Sequence, residues 1–151
     1  MPATVRPATE DDLPRIVELL QQLSFDDARE DLGPPLPDVY LDIFRKLEAD
    51  PGQHLLVVEE EGRTVGSVTV IVSPNLSHRG TPWAEIENMI VDETVRGRGH
   101  GEALIREAIE IARRAGCYKL TLTSNNGRTD AHRFYERVGF AQTHRGFRID
   151  L

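Results

Sequence analysis

Apolar positions along the chain keep first one period and then another. Leu13, Ile16, Val17, Leu20 and Leu23 follow the i, i+3, i+4, i+7 spacing of a single helical face. Thr9 is the candidate N-cap of that helix, with Asp12 three residues on in capping-box position and acidic side chains in the first turn. Ser24 to Pro37 is acidic and proline-bearing and reads as a loop. Asp38 caps a second predicted helix that runs to about Ala49. It buries Val39, Leu41 or Tyr40, Ile43, Phe44 and Leu47, and Asp50-Pro51-Gly52 stops it.

The pattern then turns to β-branched runs. His54 to Glu60 and Thr64 to Ser73 read as strands joined by the turn Glu61-Gly62-Arg63. Pro74 to Pro82 is a polar loop, and Trp83 to Asp92 is another strand. A glycine turn then opens a helix with Leu104, Ala108, Ile111, Ala112 and Ala115 on one face and Gly116 as its stop. Lys119 to Thr123 is a strand, and Arg128 or Thr129 to Val138 is a helix ended by Gly139. Phe140 to His144 and Phe147 to Leu151 read as a closing pair of strands around Gly146, and Pro2 to Pro7 as a short edge strand. The order β-α-α-β-β-β-α-β-α-β-β predicts an α/β domain: a mixed sheet of about seven strands with helices on both faces.

Length and charge narrow this picture. The 151 residues fit a single domain, 1–151. A formal net charge of -7 speaks against nucleic acid as a partner, although a phosphate-bearing cofactor needs only a local positive site. No apolar run approaches the roughly 20 residues of a membrane span, and the first residues lack the apolar core of a signal peptide. The one cysteine, Cys117, fits a reducing compartment, so a cytoplasmic soluble domain is expected. His78, His132 and His144 have no metal-ligand spacing, and no metal is indicated.

The chemistry concentrates at Arg96-Gly97-Arg98-Gly99-His100-Gly101, between a strand and a helix. Glycine lets the backbone turn sharply and approach a ligand. The first amides of a helix lack intrahelical partners and its dipole favours anions, so this is a phosphate site in outline. Arg96, Arg98 and His100 add positive character. The dinucleotide fingerprint G-x-G-x-x-G fails, because Glu102 stands where its last glycine belongs. A Walker A loop fails too, because no glycine here precedes Lys-Ser or Lys-Thr.

The run from Val91 to Ile105 resembles the acyl-CoA motif of the Gcn5-related N-acetyltransferase family: Arg or Gln, two residues, Gly, any residue, then Gly or Ala. Arg96, Gly99 and Gly101 match it, and Asn126, Ala131, Phe134-Tyr135 and Gly139-Phe140 match a second family motif downstream. The resemblance implies the acyl-CoA N-acyltransferase fold, a mixed, mostly antiparallel sheet, with acetyl-CoA as co-substrate. It implies that backbone amides of Gly97 to Gly101 hold the pyrophosphate. Met89, Ile90 and Val91 would pair with the pantetheine arm.

Acetylating an amine requires a base for the ammonium, whose pKa lies near 10, and a proton for the leaving thiolate. Glu85 and Glu87 lie two apart on one strand and so share a face. The resemblance favours Glu87 as base, with Glu85 second and an ordered water as the remaining option. Tyr135, protonated at neutral pH, suits the acid role, though a tyrosine beside Phe134 and Phe140 is also at home packing a helix on a sheet. Asn126 either contacts the cofactor or simply orders the turn Asn125-Asn126-Gly127. Asp26, Asp27, Glu30 and Asp31 could draw a cationic amine or be a solvated loop. The expected function is acetyl transfer to the primary amine of a small molecule. A peptide amine or a non-catalytic acyl-CoA sensor are the alternatives, and a homodimer is the commonest assembly for such a protein.

Overall fold

The computed structural model describes residues 3–23 and 29–151. Asp26 and Asp27 of the acidic cluster lie outside the described residues. The chain divides into two compact units, Met1–Thr121 and Leu122–Leu151.

In the first unit the strands are β1 (Thr4–Pro7), β2 (Gln53–Glu60), β3 (Arg63–Ser73) and β4 (Trp83–Val91). A short β5 (Leu120–Leu122) completes a five-stranded sheet in the order β1-β2-β3-β4-β5. The pairings among β1 to β4 are all antiparallel. The helices are α1 (Leu13–Gln21), α2 (Asp38–Ala49) and α3 (His100–Arg114). Successive residues of a strand point to opposite faces, and the helices cover both faces of this sheet. Leu55, Ser67 and Thr69 share a cavity wall with α1 and α2, while Leu56 and Val72 share one with Ile111 of α3. Burial on both sides explains why Val65 to Val70 are apolar or small almost without interruption. Val57, Val68, Val70, Leu19, Leu104 and Ile105 are fully buried side chains of the core. Each such side chain contributes about 1.5–3 kcal/mol.

An ion-paired cluster fixes the entry to α1. Asp12 accepts from the Thr9 amide at 2.7 Å, as its capping-box position suggested. Its larger engagement is with Arg6 of β1, through bonds of 2.7 and 2.9 Å, while Arg6 also donates to Glu59 of β2.

The second unit contains α4 (Thr129–Arg137). Here the structure departs from the seven-strand expectation. Phe140 to His144 and Phe147 to Leu151 form no strand, and Phe147 and Ile149 stand 96% and 84% exposed. The alternation of Phe147, Ile149 and Leu151 has the right period, but a strand exists only through ladder hydrogen bonds to a partner.

Candidate active site

β4 carries the candidate base and leads into the glycine turn. Its register against β3 pairs Thr69 with Glu87 and then Ser67 with Ile90, so Asn88 and Met89 together face Val68. Two residues against one is a β-bulge, and Asn88 takes it up with a φ of 52°. Asparagine tolerates that left-handed conformation better than most residues. The bulge re-aims the strand immediately after Glu87. β5 beside it is three residues long against nine in β4.

Glu85 and Glu87 are both half-buried on the face that holds Thr69. Burial raises the Glu87 carboxyl above its ordinary value, and the hydrogen bond and negative charge of Glu85 raise it further. A proton on Glu87 is therefore retained to higher pH than on an ordinary glutamate, the direction a general base near neutrality requires.

The segment after β4 is held from α1. Asp92, buried, accepts from the Thr94 amide at 3.0 Å and the Thr94 hydroxyl at 2.9 Å. Its other oxygen pairs with Arg15, which also donates to the Thr64 carbonyl. These bonds hold the Asp92 carboxyl well below the usual carboxylate range. Gln22 accepts from the Glu93 amide at 3.1 Å, and Arg96 returns to the end of β4, its Nε donating to the Val91 carbonyl at 3.1 Å.

The turn itself places Gly97 at φ 80° and Gly99 at φ 87°, with Gly99 as the N-cap of α3 and Gly101 in its first turn. A Cβ at Gly97 or Gly99 would meet nothing within 4 Å. Glycine is required here for its backbone conformation and for the open space above it. Arg98 and His100, two of the residues that give the turn its positive character, are both engaged by one carboxylate. Arg98 holds both oxygens of Glu60 at 3.1 and 3.2 Å, and the His100 Nε2 donates to the same carboxylate at 3.2 Å. The His100 ring is 3% exposed, and its Nδ1 has no hydrogen-bond partner among the described residues. Glu60 at the end of β2 thus anchors the turn, a role no local sequence signal announced.

In the second unit Tyr135 is half-buried, 5.4 Å from the Phe134 ring and 6.0 Å from the Phe140 ring between centroids. Burial raises its phenol further above 10, partly offset by Arg128. Asn126 is exposed. The preceding turn is ordered by Asn125, whose side chain accepts from the Gly127 amide at 2.8 Å. In the first unit Glu30 accepts from the Tyr40 hydroxyl at 2.9 Å.

The family model described as the acetyltransferase (GNAT) family matches residues 17–140. A glucosamine 6-phosphate N-acetyltransferase of Trypanosoma brucei brucei is 34% identical over 97% of this chain and 95% of its own length. An aminoalkylphosphonate N-acetyltransferase of Salmonella typhimurium is 36% identical over 63% of this chain and 61% of its own. Among solved structures, a Bacillus halodurans protein described as a transcriptional regulator superposes with a TM-score of 0.91. It is 35% identical, over 99% of this chain and all of its own.

Proposed function

This chain belongs to the acetyltransferase (GNAT) family, and we propose that it moves an acetyl group from acetyl-CoA to the primary amine of a small molecule. The observation that carries the reading is the left-handed pair Gly97 and Gly99 at the start of α3, open on its outer side. Backbone of that shape offers its amides to a diphosphate. In this reading the amides of Gly97 to Gly101 hold the pyrophosphate, with Arg96, Arg98 and His100 around it, and Arg98 exchanges Glu60 for a phosphate oxygen. Met89, Ile90 and Val91 pair the pantetheine arm as a neighbouring strand would, which the brevity of β5 supports. Asn126 contacts the same cofactor.

Glu87, or Glu85 in its place, takes a proton from the ammonium, and the freed nitrogen attacks the thioester carbonyl. As the C–S bond breaks, Tyr135 gives its proton to the departing thiolate. General acid or base catalysis of this kind contributes about 10²–10⁴-fold for each group. The raised Glu87 carboxyl and the half-buried phenol of Tyr135, raised by desolvation, both support these roles.

The same reading takes 1–151 as one acetyltransferase domain, supported by a family match that runs through both compact units. It places the protein in the cytoplasm, in keeping with its lone Cys117. It also makes the protein a homodimer, for which the exposed apolar tail Phe147, Ile149 and Leu151 supplies a surface. A second reading, an acyl-CoA sensor without catalysis, draws support from the regulator description of the Bacillus halodurans neighbour.

Calorimetric titration with acetyl-CoA, with NADH and ATP as controls, followed by thiol release in the presence of primary amines, separates the two. Micromolar binding of acetyl-CoA with amine-dependent thiol release supports the enzyme. Binding without release from any amine supports the sensor, and no binding overturns both.

A further inference from the structure

Glu87 stands directly opposite Thr69 across the β3–β4 ladder. Residues so paired project to the same face of a sheet. Thr69 and Asn88, the residue of the bulge, line a cavity of about 330 Å³ between that face and α1 and α2. We propose that this cavity receives the body of the acceptor, and that the acceptor is a primary amine carried on an apolar alkyl or aryl group. The proposal rests on the transferase reading above and names the substrate class of the same site.

The walls decide the chemistry. α1 contributes Leu13, Val17 and Leu20, and α2 contributes Val39, Ile43 and Phe44. Among the described residues, no charged side chain lines the cavity. Two of its hydroxyls are already engaged: Ser67 donates to the Leu56 carbonyl at 3.0 Å, and Tyr40 donates to Glu30. A phosphate or a polyol placed here would exchange its hydration for little more than the Thr69 hydroxyl and the Asn88 amide, a cost of several kcal/mol. An apolar group loses nothing and releases water. At ~30 Å³ per molecule the space holds roughly ten waters, enough for a phenyl ring or a short alkyl chain. Val39 and Ile43 are 57% and 47% exposed, so the cavity opens along α2, where the neighbouring Asp38 and Asp42 are also exposed. An approaching ammonium meets those carboxylates first and Glu87 afterwards.

The test measures thiol release at saturating acetyl-CoA with a series from ethylamine to hexylamine, 2-phenylethylamine, glucosamine and glucosamine 6-phosphate. If the cavity takes the acceptor, kcat/KM rises about fourfold for each methylene, roughly 250-fold from ethylamine to hexylamine. Ile43→Trp, which fills the mouth from a half-exposed helix position, brings that ratio near unity. Val39→Trp is the substitute if Ile43→Trp does not melt cooperatively. A flat chain-length profile, or glucosamine 6-phosphate turning over better than hexylamine, overturns the proposal and leaves the transferase reading standing. Thiol release from no amine at all sinks both.

Discussion

Gly99 and Gly116 form a matched pair that separates what the glycine turn does for folding from what it does for binding. Their φ angles are 87° and 75°, and a Cβ at either would meet nothing within 4 Å. Valine at either position therefore costs the fold only backbone strain, about 1–2 kcal/mol for a left-handed L-residue. For a chain of 151 residues that is a fall in Tm of about 2–8 °C. The two positions differ in where they sit: Gly99 caps the start of α3, while Gly116 follows its last turn, its amide bonded to the Arg113 carbonyl at 3.0 Å. A side chain at Gly99 stands where a diphosphate would approach the amides. Losing one charge-assisted hydrogen bond costs about 1.5–3 kcal/mol, which weakens binding about 10- to 150-fold. Thermal melts and calorimetric titration with acetyl-CoA read the two effects separately. The expected result is similar loss of Tm in both variants and loss of affinity in Gly99→Val alone. Parent affinity in Gly99→Val would refute the diphosphate assignment. An equal loss in Gly116→Val would show affinity merely following stability.

Four further outcomes follow from the site and its surroundings. Glu85→Gln removes one cause of the raised Glu87 carboxyl, so the acidic limb of the kcat–pH profile should move to lower pH; Glu87→Gln should depress turnover most at low pH, where more of the amine is protonated. An unmoved limb in the first variant excludes Glu85 and means that the limb does not report the Glu87 carboxyl, and a parent-like profile in the second leaves water or Glu85 as the base. Tyr135→Phe should lower turnover about a hundredfold or more while acetyl-CoA affinity stays near the parent value, and unchanged turnover removes the acid role. Asp12, whose pKa Arg6 lowers from 3.8 to about 2, stabilises the fold by up to about 2.4 kcal/mol at 1.36 kcal/mol per pH unit, less what water screens at the partly exposed guanidinium. Because the folded pKa is the lower one, that stability is present above about pH 4 and is lost as pH falls towards 2. Urea melts of Asp12→Asn should show the deficit at pH 7 and almost none at pH 2; the same deficit at both would refute the linkage.

The elements with internal periodicity were legible from sequence. The stripe Ile16-Val17-Leu20 and the run Val65 to Val72 each contain their own signal, and α1 and β3 form within a residue or two of those patterns. Phe147, Ile149 and Leu151 carry an equally clear alternation and form no strand. Periodicity reports which residues could share a face. Pairing is a property of two segments, and the second segment is not written in the first.

The same distinction runs through the candidate site. Strand, glycine turn and helix are contiguous, so the cradle from Arg96 to Gly101 could be read directly, and the short-range bond from Thr94 to Asp92 is of the kind an Asp-x-Thr sequence announces. Glu60 could not be found that way, because it reaches Arg98 and His100 across 38 and 40 residues. Arg15, 77 residues from Asp92, is equally remote. Asn88 falls between these cases. An asparagine inside the run Ile86 to Val91 is the residue best able to adopt a positive φ, and its presence there is a readable sign of a bulge. That bulge follows Glu87 directly, and Asn88 joins Thr69 in the wall of the apolar cavity. One residue that breaks the strand pattern thus marks where the candidate base, the bend in β4 and the proposed acceptor pocket converge. Such departures from the local rule are where function is expected to lie.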